Sequence, residues 1–455
     1  MSKKIKHIIV GAGIAGLNLA VQAKDEAEDF LLIEKSSKLG GTWQSHKYKN
    51  TVYEFGPNTI LDKSDRLREL IKKARLEDQL LTSPLKDSKR YFYRQHKFIE
   101  VPMNPFGFIG SKLMSMSGKL RMLKEPFTQT KSNENESVFD FFARRLGTEF
   151  SENLLSPAMQ GIWGGDIKSL NVSAAMPFLY ELEKSSGSLI RGMLKHKSTE
   201  KNNKQIISFK NGLETLCLEL GNYIGSENIA LNYELKKIEA KDDLMELSFN
   251  NGEKILCEKL SLACPSTAAA NALSNYDTEL ANALKNIYYA PMYLFAFSLK
   301  KTLFKDLKQL DAFGYLNTNQ THFTLGSIFA SELFPERKLK DEILFVNFLG
   351  GSKHPQILDF SQSDLQATAY SETKEIFDNA FGLSLRKEDF NFIADKLCTQ
   401  AIPQYNENYI GAKKIIEQFQ AKNTNIRLYG NYLGGISIPD TIKNSTIKDA
   451  LQLKA

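Results

Sequence analysis

The chain has 455 residues, of which 42 % are hydrophobic and 25 % are charged, a composition typical of a folded globular protein. A chain of this length exceeds what one hydrophobic core usually serves, so about two or three domains are expected. The formal net charge of +6 comes without a long Lys/Arg run, which disfavours nucleic acid as a partner.

Other features exclude further classes of protein. Four cysteines and six histidines show no spacing typical of a metal site. No run of about 18 apolar residues predicts a spanning helix. The lysines near the N-terminus lead into a strand pattern rather than a signal-peptide core. The sequence therefore predicts a cytoplasmic protein without a metal centre.

The first motif is an apolar run that enters a G-x-G-x-x-G turn and continues at helical spacing. Gly11 allows the sharp turn, Gly13 lacks the Cβ that would hold a pyrophosphate away, and Gly16 allows close packing. The helix N-terminus offers amide donors to phosphates. Glu34 ends the second predicted strand, where a carboxylate binds ribose hydroxyls and disfavours NADP. This stretch predicts a dinucleotide-binding fold.

The sequence patterns from residue 51 onward no longer belong to this dinucleotide-binding motif. They predict a short strand and a Gly-Pro turn in residues 51–60, an amphipathic helix over 67–81, and a hairpin over 90–102. Residues 104–131 mix Met, Phe and Leu with Lys and Arg, a pattern that fits the wall of a binding cleft or a membrane interface. A helix capped by Ser137 or a neighbouring Asn follows.

The second half of the chain first adds predicted elements to the dinucleotide-binding domain and then forms a second domain. Asn250-Asn251-Gly252 predicts a hairpin, and later strands with a helix capped by Ser363 predict a second sheet-containing domain. The predicted elements are a helix opening at 209–216, strands at 229–235, 244–249, 254–256, 260–263, 292–300, 323–329 and 342–349, and a helix ending at 381.

The last landmark is a strand, a glycine-rich turn and a capped helix that begin near residue 426. Such a junction can supply a second set of backbone donors to a cofactor. On its own, it is equally compatible with an ordinary strand-to-helix connection.

Together these patterns resemble the oxygen-dependent protoporphyrinogen oxidases and related coproporphyrinogen oxidases, a branch of the amine-oxidase-like flavoproteins. The pair Gly40-Gly41 follows Glu34 at the spacing of the second glycine motif in that group. Residues 161–166 separate this branch from its relatives. The other matching stretches, in family order, are 55–58, 156–160, 174–177, 209–216 and 430–438.

The resemblance implies an α/β fold with a discontinuous Rossmann-like FAD-binding domain (1–85, 205–270 and 400–455). An α+β substrate-binding domain (86–110, 170–204 and 271–399) and an α-helical insert (111–169) complete the expected chain. Membrane contact by the insert is left open.

The same resemblance implies which residues hold FAD. Glu34 would bind the ribose, the backbone of Leu235 would lie near the adenine, and the closing turn would lie near the flavin. The implied cofactor residues are Gly11, Ala12, Gly13, Ile14, Ala15, Gly16, Glu34, Lys35, Gly40, Gly41, Thr42, Phe55, Gly56, Pro57, Asn58, Leu235, Asn431, Ile436, Ser437 and Ile438.

The implied reaction is oxidation of protoporphyrinogen IX to protoporphyrin IX in heme biosynthesis. It would proceed by three rounds of hydride transfer to flavin N5, with oxygen as electron acceptor. The substrate would pass Gly161, Ile162 and Trp163. Because the flavin carries the chemistry, no catalytic side chain is assigned.

Several alternatives stay open. Coproporphyrinogen III is an alternative substrate, an amine oxidase or carotenoid-type desaturase is an alternative enzyme, and a flavin or tetrapyrrole carrier is the non-enzymatic alternative. A quinone as acceptor, a homodimer and a peripheral position at the cytoplasmic face of a membrane also remain. Residues 103–106 lack the Arg with which some relatives meet a substrate propionate, which leaves Arg94, Lys112 and Arg121 as candidates.

Overall fold

The computed structural model describes residues 3–84, 89–102, 110–129, 133–195 and 205–446. The strands are β1 (Lys3–Val10), β2 (Phe30–Glu34), β3 (Ser45–Tyr48), β4 (Thr51–Glu54), β5 (Ile60–Leu61), β6 (Leu80–Pro84), β7 (Arg90–Arg94), β8 (Lys97–Glu100), β9 (Gln205–Phe209), β10 (Ile229–Leu231), β11 (Leu235–Lys241), β12 (Leu244–Phe249), β13 (Lys254–Leu262), β14 (Tyr289–Lys300), β15 (Gly314–Asn317), β16 (Thr324–Phe329), β17 (Glu342–Gly350), β18 (Asn391–Pro403) and β19 (Ile426–Leu428).

The α-helices are α1 (Ile14–Asp25), α2 (Asp65–Lys73), α3 (Met116–Leu123), α4 (Val138–Leu146), α5 (Thr148–Phe150), α6 (Ser156–Trp163), α7 (Val172–Ala175), α8 (Pro177–Ser186), α9 (Leu189–Lys195), α10 (Glu214–Ile224), α11 (Ser266–Leu273), α12 (Thr278–Lys285), α13 (Gln362–Phe381), α14 (Glu407–Lys422) and α15 (Ile438–Asn444). A π-helical stretch, Ser151–Leu155, joins α5 to α6.

The first sheet confirms the predicted strand, turn and helix at the N-terminus. Its parallel strands run in the order β10-β2-β1-β13, and antiparallel strands β12 and β11 continue it. Val10 pairs with Leu262, which in turn pairs with Leu428 of β19. The carboxyl ends of β1, β13 and β19 therefore lie side by side, the edge at which open α/β sheets bind ligands.

The second sheet has the order β18-β14-β17-β16-β15-β7-β8. The predicted hairpin over 90–102 is confirmed as β7 and β8, and it joins this sheet because β7 pairs in parallel with β15. Helix α13 packs against one face through Phe377. The other face packs against Tyr53 and Phe55, which belong to the first half of the chain.

The helices between α3 and α9 are held together by a buried ion network. Arg145 and Glu183 are completely buried, and their charged groups lie 2.6 Å apart. Glu125, also completely buried, contacts Arg145 at 3.2 Å. Arg144 contacts Glu183 at 2.7 Å and Glu136 at 2.8 Å. Since removing one partner of a buried pair leaves an uncompensated charge, this network makes the arrangement of these helices specific.

Three local predictions need correction. The helix predicted over 67–81 ends at Lys73, because Arg75 has φ +55° and residues 80–84 pair with β9 instead. The strand predicted over 229–235 is divided by Asn232, which has φ +61°. Helix α13 is capped by Ser361 rather than Ser363, since Ser361 and Asp364 form a capping box.

Four segments of the sequence analysis extend outside the described residues. Residues 104–109 and 130–131 of the amphipathic segment 104–131 lie outside them, as does the whole of the Arg-free stretch 103–106. Residues 196–204, at the end of the predicted 170–204 segment, and residues 447–453 of the C-terminal helix also lie outside them.

Candidate active site

Two glycines of the opening turn are fixed by packing. Gly11 has φ +102°, and a Cβ there would lie 2.5 Å from the carbonyl oxygen of Ala263. A Cβ on Gly16 would lie 1.8 Å from the Gly11 carbonyl oxygen. The Gly11 N–H donates to the carbonyl of Ile33 at 2.7 Å. The turn can therefore pass between β2 and β13 only with glycine at these positions.

Gly13 differs because a Cβ at this position would meet no heavy atom of the described residues within 4 Å. Gly13 is the N-cap of α1, and the first turn of α1 carries no acidic residue. The first amides of a helix have no partner within the helix, and together with the helix dipole they attract anions. The open space beside Gly13 thus fits a pyrophosphate group.

Glu34 lies at the carboxyl end of β2 and is buried. Its Oε2 accepts from the Ala12 N–H at 2.8 Å, and its Oε1 accepts from the N–H and Oγ–H of Ser36 at 2.9 and 2.8 Å. A carboxylate has about four acceptor positions, so these contacts leave about one for a ribose hydroxyl. The adjoining Lys35 is exposed.

Leu235 reaches the neighbourhood of Glu34 through the break at Asn232. The Tyr233 N–H donates to the Glu34 carbonyl at 2.9 Å, and the Asn232 N–H donates to the Ser36 carbonyl at 3.1 Å. The chain therefore passes beside the end of β2 before β11 begins at Leu235. Leu235 thus follows two residues after the contact of Tyr233 with Glu34, although β11 and β2 are not neighbours in the first sheet.

The second glycine pair lies against the opening turn. The Gly40 N–H donates to the Ala12 carbonyl at 2.8 Å, and a Cβ on Gly41 would lie 3.3 Å from the Cα of Gly13. Thr42 is exposed, and its carbonyl oxygen lies 2.1 Å from where a Cβ of Gly56 would be. Residues 11–16, 40–42 and 55–58 are thus brought together.

Within residues 55–58 the backbone is fixed locally. The Phe55 N–H donates to the Gln44 carbonyl at 2.9 Å, and the Asn58 side-chain amide donates to the Gly56 carbonyl at 3.2 Å. Pro57, between them, is half-buried.

The closing segment meets the opening one through Asn18, a completely buried residue of α1. Its Nδ2 donates to the carbonyls of Ile442 and Ser445 at 3.0 and 3.1 Å, and its Oδ1 accepts from Arg66 Nε at 2.8 Å. The sequence analysis missed Asn18. The available signal was a polar residue within the apolar stretch that follows Gly16.

Tyr405 holds the glycine-rich turn after β19. Its hydroxyl donates to the Asn431 carbonyl at 2.7 Å and accepts from the Gly435 N–H at 2.9 Å. Ile436 and Ser437 follow directly, and the Ser437 side chain caps α15, which begins at Ile438. The sequence analysis also missed Tyr405, because no local pattern distinguishes it from other buried tyrosines.

The predicted substrate residues lie at the end of α6. A Cβ on Gly161 would lie 2.3 Å from Leu316 of β15, and Ile162 is 60 % exposed. Trp163 is buried and meets the Tyr405 ring edge-on at 4.9 Å between centroids. Tyr405 therefore contacts both the substrate stretch and the closing turn.

Glu54 is a titratable group that sequence patterns do not single out, although it directly precedes Phe55. Burial raises the pKa of its carboxyl from the ordinary value of 4.5 to about 7. Hydrogen bonds from the Ser45 Oγ–H at 2.6 Å and the Leu213 N–H at 2.9 Å favour the charged form but do not offset its desolvation.

Comparison with known proteins adds independent findings. The profile of the family described as flavin containing amine oxidoreductase matches residues 14–443. Mitochondrial protoporphyrinogen oxidase of Nicotiana tabacum is 26 % identical over 468 aligned positions, covering 94 % of this chain and 91 % of that protein. Coproporphyrinogen III oxidase of Bacillus subtilis (strain 168) is 24 % identical over 485 aligned positions, covering 99 % of each.

A solved structure from Exiguobacterium sp. 255-15 superposes with a TM-score of 0.77 at 18 % identity, and the match covers 100 % of both chains. At this identity the superposition shows the fold. It agrees with the α/β architecture described above.

Proposed function

The chain belongs to the flavin containing amine oxidoreductase family and is therefore an FAD-dependent enzyme, and we propose that it oxidises protoporphyrinogen IX to protoporphyrin IX. This proposal depends on two alignments, which cover 94 and 99 % of the chain. The aligned proteins are named as porphyrinogen oxidases, one from a plant and one from a bacterium. Fold alone would not support it, because one scaffold hosts many reactions.

In this proposal FAD lies along the edge formed by β2, β1, β13 and β19. The open space beside Gly13 takes the pyrophosphate, Glu34 takes a ribose hydroxyl, and the backbone near Leu235 meets the adenine. Thr42, residues 55–58 and residues 431–438 surround the ribityl chain and the flavin. This assignment is supported by the cradle at Gly13 and the remaining acceptor position on Glu34.

When bound, FAD would supply a two-electron acceptor, and three successive two-electron oxidations, each followed by reoxidation by oxygen, would complete the reaction. The residues of the chain orient the substrate and exclude water. Tyr53 and Phe55 pack against the second sheet in a buried apolar cluster, directly before the turn at residues 56–58. No side chain is assigned as a proton acceptor.

An aerobic assay tests this proposal. FAD-loaded protein given protoporphyrinogen IX should form fluorescent porphyrin over many turnovers, with oxygen uptake and peroxide release in proportion. Polyamines should give no peroxide. Oxidation of polyamines without porphyrin formation would contradict the proposal. Formation of no more than one equivalent of porphyrin per flavin would instead indicate a carrier.

Coproporphyrinogen III is the second candidate substrate, favoured by the match to the Bacillus subtilis enzyme over 99 % of both chains. It carries four carboxylates where protoporphyrinogen IX carries two. Competition between the two substrates, measured as kcat/KM for each, distinguishes them. A higher kcat/KM for coproporphyrinogen III would replace our first assignment.

The helical insert and helix α9 expose an apolar surface suited to peripheral membrane contact. Phe127, Leu194, Leu123 and Met116 are between 65 and 83 % exposed, and Lys124 and Arg191 lie beside them in sequence. Among the described residues no helix is long and apolar enough to cross a bilayer. A surface of this kind would lie in the headgroup region of an anionic membrane. Flotation with anionic but not neutral vesicles tests this.

A further inference from the structure

A polar cavity of about 590 Å³ lies between the helical insert and the second sheet. Its volume is in the range of small-molecule sites. Residues from both structures line it: Arg94 of β7, Ser156 at the start of α6, Asp166 and Lys168 after α6, Gln320 after β15, and Lys353 after β17.

Lys353 is the innermost cation and is incompletely paired. Its side chain is 16 % exposed, and its Nζ lies 3.3 Å from Gln320 Oε1, 3.4 Å from Ser156 Oγ and 3.9 Å from Asp166 Oδ1. All three distances exceed those of a good charge-assisted hydrogen bond. Burial accordingly lowers the pKa of the Lys353 ammonium. A half-buried ammonium with only long contacts retains the capacity to bind an anion.

The other charges facing Lys353 leave an excess of cations. Arg94 is anchored by donation from Nη1 to the Leu113 carbonyl at 3.0 Å. Lys168 lies over the Phe139 ring, with Nζ 5.2 Å from the centroid. Two carboxylates oppose these three cations: Asp166 accepts from the Lys168 N–H at 3.1 Å, and Glu152 is exposed at the rim, where water screens it.

The cavity is joined to the substrate stretch by backbone contacts. The Ser352 N–H donates to the Gly164 carbonyl at 2.7 Å, and a Cβ on Gly351 would lie 2.7 Å from that same oxygen. Lys353 is therefore tied to the end of α6, the helix that carries Gly161 and Trp163. A ligand passing this stretch can place a side group in the cavity.

We propose that this cavity binds carboxylate side chains of the porphyrinogen, with Lys353 as the direct partner and Arg94 as the second cation. The inference rests on the proposed function and identifies a carboxylate partner outside residues 103–106.

Lys353→Met tests the proposal because Met keeps much of the side-chain length without the charge. We expect KM for coproporphyrinogen III and protoporphyrinogen IX to rise about tenfold, the effect of one lost hydrogen bond between charged groups. Values of kcat and the flavin spectrum should stay unchanged, and Lys353→Arg should restore most of the affinity. Lys414→Met, on the exposed surface of α14, is the matched control.

Methyl esters of the substrates provide a test that does not depend on folding of the variant. Wild-type protein should bind the esters about tenfold more weakly than the free acids, whereas Lys353→Met, which keeps only Arg94 as a cation, should discriminate less between acid and ester. Equal KM values for acid and ester in the wild type, or an unchanged KM in active Lys353→Met, would overturn the proposed subsite. Failure of wild-type protein to oxidise any porphyrinogen would overturn the proposed function instead.

Discussion

At the scale of a single residue, a substitution of Gly13 should change FAD affinity without changing the stability of the apoprotein. Its Cβ position is open, so Gly13→Ala should leave the apoprotein as stable as the wild type while placing a methyl group against the pyrophosphate. We expect FAD affinity to fall at least about tenfold, measured by titration of apoprotein with FAD. Gly411→Ala is the matched control, since its Cβ also meets nothing within 4 Å. Equal FAD affinity in the two variants would contradict this role.

Glu54 predicts a dependence of stability on pH. Its pKa is raised by burial to about 7 from 4.5, so the folded state binds the proton more tightly than the unfolded state. Stability from this group is complete below about pH 4.5 and is lost as the pH rises through about 7, by up to about 3 kcal/mol.

Glu54→Gln should therefore flatten the loss of stability between acidic and mildly alkaline pH. The measurement is the Tm of the variant and the wild type at about pH 5 and about pH 8, in parallel with Glu417→Gln as an exposed control. The variant should gain relative to the wild type only at the higher pH. Parallel pH profiles for the two proteins would show that Glu54 is not the group responsible.

At the scale of elements, Tyr405 links α6 with the turn after β19. Tyr405→Phe keeps the ring contacts with Trp163 and Tyr409 but removes both hydrogen bonds to the turn. Losing them should weaken FAD binding about tenfold. Tyr293→Phe is the control, because its hydroxyl donates to Asp395 on the second sheet. Equal FAD dissociation constants in the two variants would contradict the role of Tyr405 in holding the turn after β19.

Elements whose signals are local could be predicted from the sequence. The strand and helix around Gly11 to Gly16, the hairpin at Asn250 to Gly252 and the cap at Ser137 each depend on neighbouring residues. The secondary-structure predictions were wrong where pairing with a strand that is distant in sequence overrides the local pattern. Leu80 and Leu81 end the helix predicted over 67–81, yet residues 80–84 pair with β9 across more than a hundred residues.

At the scale of the whole molecule, the candidate site depends on contacts that sequence spacing does not encode. The opening and closing segments meet because β13 pairs with both β1 and β19 and because Asn18 donates to the last described helix. The sequence patterns predicted each glycine-rich segment as a separate turn. Only the family resemblance implied that the two segments bind the same cofactor. The cavity around Lys353 has no sequence signal, since its lining comes from six separate stretches.

The central claim is that these two segments enclose one flavin and expose it to a porphyrinogen. Addition of protoporphyrinogen IX to the FAD-loaded protein without oxygen, followed by absorbance, tests it most directly. We predict loss of the oxidised flavin band as porphyrin forms, and recovery of the band when oxygen is admitted. An oxidised flavin spectrum that stays unchanged with excess substrate would contradict the account.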